Sequence, residues 1–162
     1  MAFMSAFFIA INRDQSPFDS CIARSMMQQL VVYGHDQACL VVQDNYALGY
    51  QSLWTVPEER GEIQPLYSVA HNNEQEKPKE VEWFVFDGRI DNRADLLKSL
   101  YLDDDLEVSD AQLMMSFYQA FGVQRLNEVI GPFVFVAFDV VNGTLFAARA
   151  VSYTHLTLPT KA

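Results

Sequence analysis

Basic residues are scarce in this sequence: 11 lysines and arginines stand against 21 aspartates and glutamates, which gives a net charge of −10. A surface that binds nucleic acid is normally basic, so this balance argues against nucleic acid as a partner. Histidine is also rare, and the three histidines, His35, His71 and His155, are widely separated. The sequence therefore predicts no metal site.

Cysteine and long apolar runs are equally limited. The two cysteines, Cys21 and Cys39, are isolated and lack metal-like spacing, which favours a reduced, cytoplasmic setting. Cys39 lies in an apolar segment and is interpreted as a core residue rather than a nucleophile. No apolar run approaches the ~20 residues that cross a bilayer, so we expect no membrane partner. A glycine-rich phosphate loop is also missing, so the sequence predicts no cofactor in this segment.

Hydrophobic residues make up half of the 162 residues, enough for one globular domain with a sizeable core. The predicted elements are a strand over Ser5–Ile11, a helix beginning at Ser16-Pro17, a hairpin of Ala38–Val42 and Tyr46–Tyr50, strands at Leu66–Ala70 and Trp83–Phe86, two helices, and a hairpin of Phe133–Phe138 and Thr144–Ala148. Strand hairpins with segregated helices indicate an α+β fold with mainly antiparallel sheets.

Side-chain patterns give more detail. We expect the first helix to bury Phe18, Ile22, Met26, Met27 and Leu30, and the last helix to bury Leu113, Met114, Phe117, Tyr118 and Phe121. Ser109 and Gln112 have the spacing of a capping box, and Asn142-Gly143 is a strong hairpin turn sequence. The polar stretch His71–Glu80 is interpreted as a solvated loop.

The stretch Trp83–Leu97 combines a buried strand, a tight turn and a helix. Its apolar run ends at Asp87-Gly88, and Asn92 is placed to cap the following helix. Such a turn leaves backbone N–H groups at the end of a buried strand, where a substrate oxygen could bind. The same connection is also common for purely structural reasons, so both interpretations stay open.

A set of short motifs in a fixed order carries a family resemblance. They are MSAFFIAINRD near the start, Tyr46-Ala47-Leu48-Gly49, Gln64-Pro65-Leu66-Tyr67, DGRIDNR from Asp87, Ser109-Asp110, GPFVF from Gly131 and Leu145–Arg149. Over residues 4–149 the chain resembles the amino-terminal, class II glutamine amidotransferase domain of the asparagine synthetase family. The resemblance implies an Ntn-hydrolase fold, a four-layer αββα sandwich of antiparallel sheets.

The resemblance also implies a chemistry. In the family, an amino-terminal cysteine attacks the side-chain amide of glutamine, and its own α-amine, with a pKa of about 8, serves as the base. The ammonia passes to a second domain, the synthetase domain, which uses ATP and Mg and is the implied partner. Glutamine or a related small molecule is the implied ligand of the domain itself.

At the nucleophile, this sequence departs from the family pattern. Met4-Ser5-Ala6 stands where the family begins Met-Cys-Gly. Ser5 is a candidate catalytic residue if translation starts at Met4, because a serine can be an Ntn nucleophile when its amine is free. If Met1 is the start, Ser5 has no free amine and is only a small residue entering a strand.

The residues that match the substrate pocket are also altered. Asp87-Gly88-Arg89 replaces an Asn-Gly-Glu turn, and only the Gly88 N–H remains as an oxyanion donor. Ser52 falls at the arginine that pairs with the glutamine carboxylate and cannot form that ion pair. Asp110 matches the acid that holds the substrate amine, although its place at a helix start has an equally good helix-dipole explanation. We therefore expect the glutaminase activity to be lost, as in the related β-lactam synthetases and lasso-peptide cyclases.

The resemblance ends after Arg149. Residues 1–150 are predicted to be the amidotransferase-like domain, and residues 151–162, VSYTHLTLPTKA, are predicted to be an artefactual tail. The tail resembles a translation of sequencing-adapter DNA, so the sequence is expected to be a truncated fragment. The sequence leaves three functions open. The first is a scaffold for an amide-forming domain, and the alternatives are a working Ser5 amidohydrolase and a stand-alone interaction module.

Overall fold

The computed structural model describes residues 5–54, 59–70, 79–103 and 107–150. Over these residues the chain forms seven strands and three α-helices. The chain divides into two compact units, Met1–Leu66 and Tyr67–Ala162. The strands form two sheets, and this combination of antiparallel sheets with helices confirms the predicted α+β class and is consistent with an Ntn-like fold.

The first unit is built on a three-stranded antiparallel sheet. Its elements are β1 (Ala6–Ile11), α1 (Ser20–Leu30), β2 (Gln37–Gln43) and β3 (Tyr46–Ser52), and the strand order is β1-β3-β2. β3 is the central strand, and all of its residues are buried. Phe8 lies opposite Gly49 in this register, and its ring fills the space where a side chain at Gly49 would project.

The second unit contains a four-stranded sheet with the order β4-β5-β6-β7. Its elements are β4 (Leu66–Ala70), β5 (Lys79–Gly88), α2 (Arg93–Ser99), α3 (Asp110–Phe121), a 3-10 helix (Gly122–Glu128), β6 (Phe133–Asp139) and β7 (Thr144–Arg149). Phe84 of β5 stacks on Phe135 of β6 with 5.1 Å between the ring centroids, and the ring of Tyr118 of α3 contacts both. This aromatic cluster joins α3 to the sheet.

The predicted start of the first helix is wrong. Ser16 does not cap α1; its backbone N–H and its hydroxyl both donate to Asp14, at 3.0 and 2.7 Å. The carboxylate of Asp14 therefore holds Ser16 in the loop before α1, and these hydrogen bonds lower the pKa of Asp14. Asp19 caps the helix instead by accepting from the Cys21 N–H at 2.7 Å. Ile22, expected in the core, is 55% exposed, and within α1 only Ala23 is fully buried.

The boundaries around Trp83–Leu97 also differ from the prediction. β5 continues through Asp87 and Gly88, so the turn begins only at Arg89. The strand also begins at Lys79, which moves Lys79 and Glu80 out of the predicted polar loop; residues 71–78 lie outside the described residues. Asn92 does precede α2, but its side chain makes no capping hydrogen bond.

Other local predictions are confirmed. Both halves of the Ser109–Gln112 capping box are present, and Gly122 ends α3 with a φ of 62°. The sheet register confirms the β2–β3 and β6–β7 hairpins. The 3-10 helix was not predicted. Among the helices that the structure describes, none is long and apolar enough to cross a membrane.

Candidate functional site

Ser5 and Ser52 lie at the same end of the three-stranded sheet. The register pairs Ala6 with Gln51, so Ser5, one residue earlier, reaches the end of β3. Its Oγ accepts from the Leu53 N–H at 3.0 Å and donates to the Leu53 carbonyl at 3.4 Å. The hydroxyl of Ser5 therefore bridges the start of β1 to the residue that follows β3.

Backbone contacts enclose Ser52. Its side chain is buried, and its carbonyl accepts from the Asp36 N–H at 3.1 Å. A Cβ at Gly34 would lie 2.4 Å from the same carbonyl oxygen, so only glycine fits there. Ser52 presents a neutral hydroxyl, which cannot form the paired ionic hydrogen bonds that a guanidinium makes with a carboxylate.

In the second unit, Gly88 is the last residue of β5. Its φ of 133° favours glycine, and a Cβ would lie 2.2 Å from the Pro132 carbonyl oxygen. The Arg89 N–H donates to that carbonyl at 2.9 Å.

The turn between β5 and α2 packs against residues 128–132. The Asp91 N–H donates to the Ile130 carbonyl at 2.7 Å. The Asn92 side chain donates to the Glu128 carbonyl and accepts from the Ile130 N–H, both at 2.9 Å. These bonds explain why Asn92 is not available to cap α2: its amide joins the turn to the segment before β6.

Asp87 and Arg89 place charges of opposite sign on either side of Gly88. Asp87 is part-buried in β5, opposite Val134. Arg89 is exposed, and its guanidinium forms a 2.6 Å ion pair with Asp91. The hydrogen bond and charge of Asp91 raise the pKa of Arg89 above its ordinary value. A cation therefore stands directly after Gly88.

Asp110 links the start of α3 to this turn. Its Oδ2 accepts from the Ile90 N–H at 2.8 Å, and its Oδ1 accepts from the Arg93 guanidinium. Arg93 also donates to the Val108 carbonyl at 2.6 Å. Arg93 is not among the residues that the sequence predicts for the site. The signal for it is a basic residue in the first turn of a helix, where a cation is unfavourable without an acidic partner.

The candidate residues thus fall into two groups. Ser5 and Ser52 belong to the first unit, where the sheet register brings them together. Asp87, Gly88, Arg89 and Asp110 belong to the second unit, and the Ile90 N–H connects their turn to Asp110. Elsewhere in the first unit, partial burial raises the pKa of the Cys39 thiol, which lowers its thiolate fraction. In the described parts of the chain, no group of three or more acidic, histidine or cysteine residues is placed to hold a metal ion.

Comparison with known families adds a direct assignment. The family model for the glutamine amidotransferase domain matches residues 4–151, nearly the whole chain. The chain belongs to the glutamine amidotransferase domain family. The matched range includes every candidate residue of this amidotransferase domain, from Ser5 to Asp110. Among curated proteins, none matches the chain.

Proposed function

We propose that this glutamine amidotransferase domain lacks glutaminase activity and acts as a scaffold in an asparagine synthetase-like protein. Its partner is an ATP-dependent amide-forming domain of the asparagine synthetase, β-lactam synthetase or lasso-peptide cyclase type. The observation that carries the proposal is the hydrogen bonding of Ser5, whose hydroxyl joins two segments of backbone.

The chemistry of Ser5 supports this view. A serine hydroxyl is a weak nucleophile unless an adjacent base removes its proton. The Ser5 hydroxyl donates a long hydrogen bond of 3.4 Å to the Leu53 carbonyl, an acceptor that is not a base at neutral pH. Attack on an amide would require this hydrogen bond to break and a base to replace it.

The charges near Gly88 support it further. An oxyanion is stabilised by donors and positive charge aimed at the developing negative charge. In place of the family's asparagine, Asp87 brings a carboxylate beside the Gly88 N–H. Ser52, in place of an arginine, provides no cation for a glutamine carboxylate. Each replacement weakens a step of glutamine hydrolysis.

A scaffold of this kind leaves the amide-forming chemistry to its partner. The partner would bind ATP and Mg and would take free ammonia or an amine that belongs to its own substrate. The amidotransferase domain would then contribute its folded surface rather than ammonia.

An ammonia-release assay with L-glutamine tests the loss of activity. The intact mass of the purified chain is first measured by mass spectrometry to establish its amino terminus. Ser5→Ala serves as the matched control. We expect no ammonia above the rate in buffer for either protein. Ammonia release by the wild type that Ser5→Ala abolishes would overturn the proposal and identify a Ser5 amidohydrolase.

Sequencing the source DNA downstream of the Arg149 codon tests the scaffold role. We expect the reading frame to continue into a synthetase domain with a pyrophosphate-binding Ser-Gly-Gly motif. A frame that closes after residue 162 without such a domain would contradict the scaffold proposal and favour a stand-alone interaction module.

A further inference from the structure

Arg93 occupies a position that is unfavourable for its charge. It is the first residue of α2, and a cation at a helix amino terminus is repelled by the positive end of the helix dipole. Its guanidinium is directed at Asp110, the first residue of α3, where an acid is favoured. The two side chains are only 31% and 13% exposed, so their ion pair is shielded from water.

The guanidinium of Arg93 contacts both sides of the α3 start. One of its nitrogens binds Oδ1 of Asp110, and the other donates to the Val108 carbonyl at 2.6 Å. The second oxygen of Asp110 accepts from the Ile90 N–H at 2.8 Å. Arg93 therefore fixes the carboxylate that holds the turn after Gly88.

The opposite side of this turn is fixed by backbone hydrogen bonds and by the side chain of Asn92. Arg89 donates to the Pro132 carbonyl, and Asp91 donates to the Ile130 carbonyl. A Cβ at Gly131 would lie 2.1 Å from the Arg89 carbonyl oxygen, so the two segments are in close contact. Asp110 is thus the side-chain support of Ile90 on one side, with residues 130–132 on the other.

We propose that Arg93 is a built-in counter-ion of Asp110. It neutralises the carboxylate, closes it to ligands that carry an ammonium or guanidinium group, and positions the Ile90 N–H with no ligand bound. The inference rests on the proposed function and deepens it, because an acid that is neutralised internally has lost its attraction for the ammonium group of an amino acid.

Removing the guanidinium reverses each of these effects. A shielded carboxylate without a cation is unfavourable, so it should bind a small cation that can donate hydrogen bonds. N-ethylguanidinium, which carries the planar group of the arginine side chain, is the most direct replacement. L-glutamine, which carries an α-ammonium group, should also bind once the guanidinium is absent.

Hydrogen exchange of the Ile90 amide, followed by NMR, reports whether the Asp110 carboxylate still accepts from the Ile90 N–H. In Arg93→Ala we expect the Ile90 amide to exchange about ten- to a hundredfold faster, as for a lost hydrogen bond to a charged group. Millimolar N-ethylguanidinium should restore slow exchange in Arg93→Ala and leave the wild type unchanged. It should have no effect on the double variant Arg93→Ala/Asp110→Asn.

Two results would overturn the counter-ion proposal. The first is unchanged Ile90 exchange in Arg93→Ala. The second is equal restoration by tetramethylammonium, a cation that cannot donate a hydrogen bond, because this would show a general effect of salt. Binding of L-glutamine to Arg93→Ala but not to the wild type, measured by titration calorimetry, is the expected result for ligand closure; equal binding to both proteins would contradict that closure.

Arg93→Lys keeps the test valid if Arg93→Ala does not fold. Lysine retains the charge but is a compact donor that does not bridge Asp110 and Val108 as the planar guanidinium does. We expect intermediate Ile90 exchange, and exchange equal to the wild type would contradict the positioning role. The ammonia assay is independent: activity in the wild type would overturn the proposed function and leave the Ile90 result standing.

Discussion

At the scale of single residues, Gly88 is held by packing as well as by backbone conformation. It has a positive φ, and Pro132 and Phe133 occupy the space where a side chain would begin. This contact requires glycine whether or not the N–H serves an oxyanion. Glycine at position 88 therefore has a structural cause that is separate from catalysis.

Gly88→Ala should lower the free energy of unfolding by about 2–4 kcal/mol, since it combines backbone strain with a backbone clash. Gly143→Ala is the matched control: its φ is also positive, but nothing lies within 4 Å of the added Cβ, so about 1 kcal/mol is expected. Urea unfolding measures both values. Equal losses in the two variants would show that packing against Pro132 contributes nothing.

At the scale of secondary structure elements, two helix starts show how a capping pattern succeeds or fails. Ser109 caps α3 as its spacing with Gln112 predicts. Ser16 has a similar local pattern, but Asp14 is two residues away and accepts both of its donors. Asp19 caps α1 instead, because its carboxylate accepts a hydrogen bond from the Cys21 N–H.

Ser109→Ala should lower the free energy of unfolding by about 1 kcal/mol through loss of the cap. Ser25→Ala, in the exposed middle of α1, should be neutral or stabilise by up to about 0.5 kcal/mol, because its hydroxyl only returns to the Cys21 carbonyl and alanine favours helix. Thermal unfolding followed by circular dichroism compares the two. A Ser109→Ala protein as stable as Ser25→Ala would contradict the capping role.

At the scale of the molecule, each unit has its own sheet and its own core. The core of the second unit centres on Phe135, whose ring contacts Phe84, Tyr118 and Phe146 within 5.8 Å between centroids. These rings come from two other strands and a helix, so a single side chain connects most of that unit. Its removal should affect the cooperative unfolding of the unit.

Phe135→Ala should cost about 3–5 kcal/mol of unfolding free energy, as for other large aromatic residues in a core. The control is Val141→Ala in the β6–β7 turn, where the side chain is 69% exposed and a change within about 0.5 kcal/mol is expected. Chemical denaturation followed by tryptophan fluorescence, with Trp83 in the same sheet, measures both. A cost at Phe135 no larger than at Val141 would show that the aromatic cluster does not support the unit.

Much of the fold was accessible from the sequence because it is encoded locally. Continuous apolar runs, the turn residues at Asp44 and Asn142, and the capping box at Ser109 act between neighbours in the chain. The order of strands and helices follows from them. The buried face of α1 differs from the prediction because periodicity identifies an apolar side without showing whether another element covers it, and Ile22 remains exposed.

The candidate site shows the same division between what neighbouring residues encode and what distant segments decide. The sequence by itself determined which residue types stand at the candidate positions: a serine at position 5, a serine at 52, Asp87-Gly88-Arg89 and Asp110. Only the tertiary structure decided what those side chains bind, because their partners are distant in sequence: Leu53 for Ser5, and both Ile90 and Arg93 for Asp110. Residue identity is local, whereas the neutralisation of a charge depends on which segments the fold brings into contact.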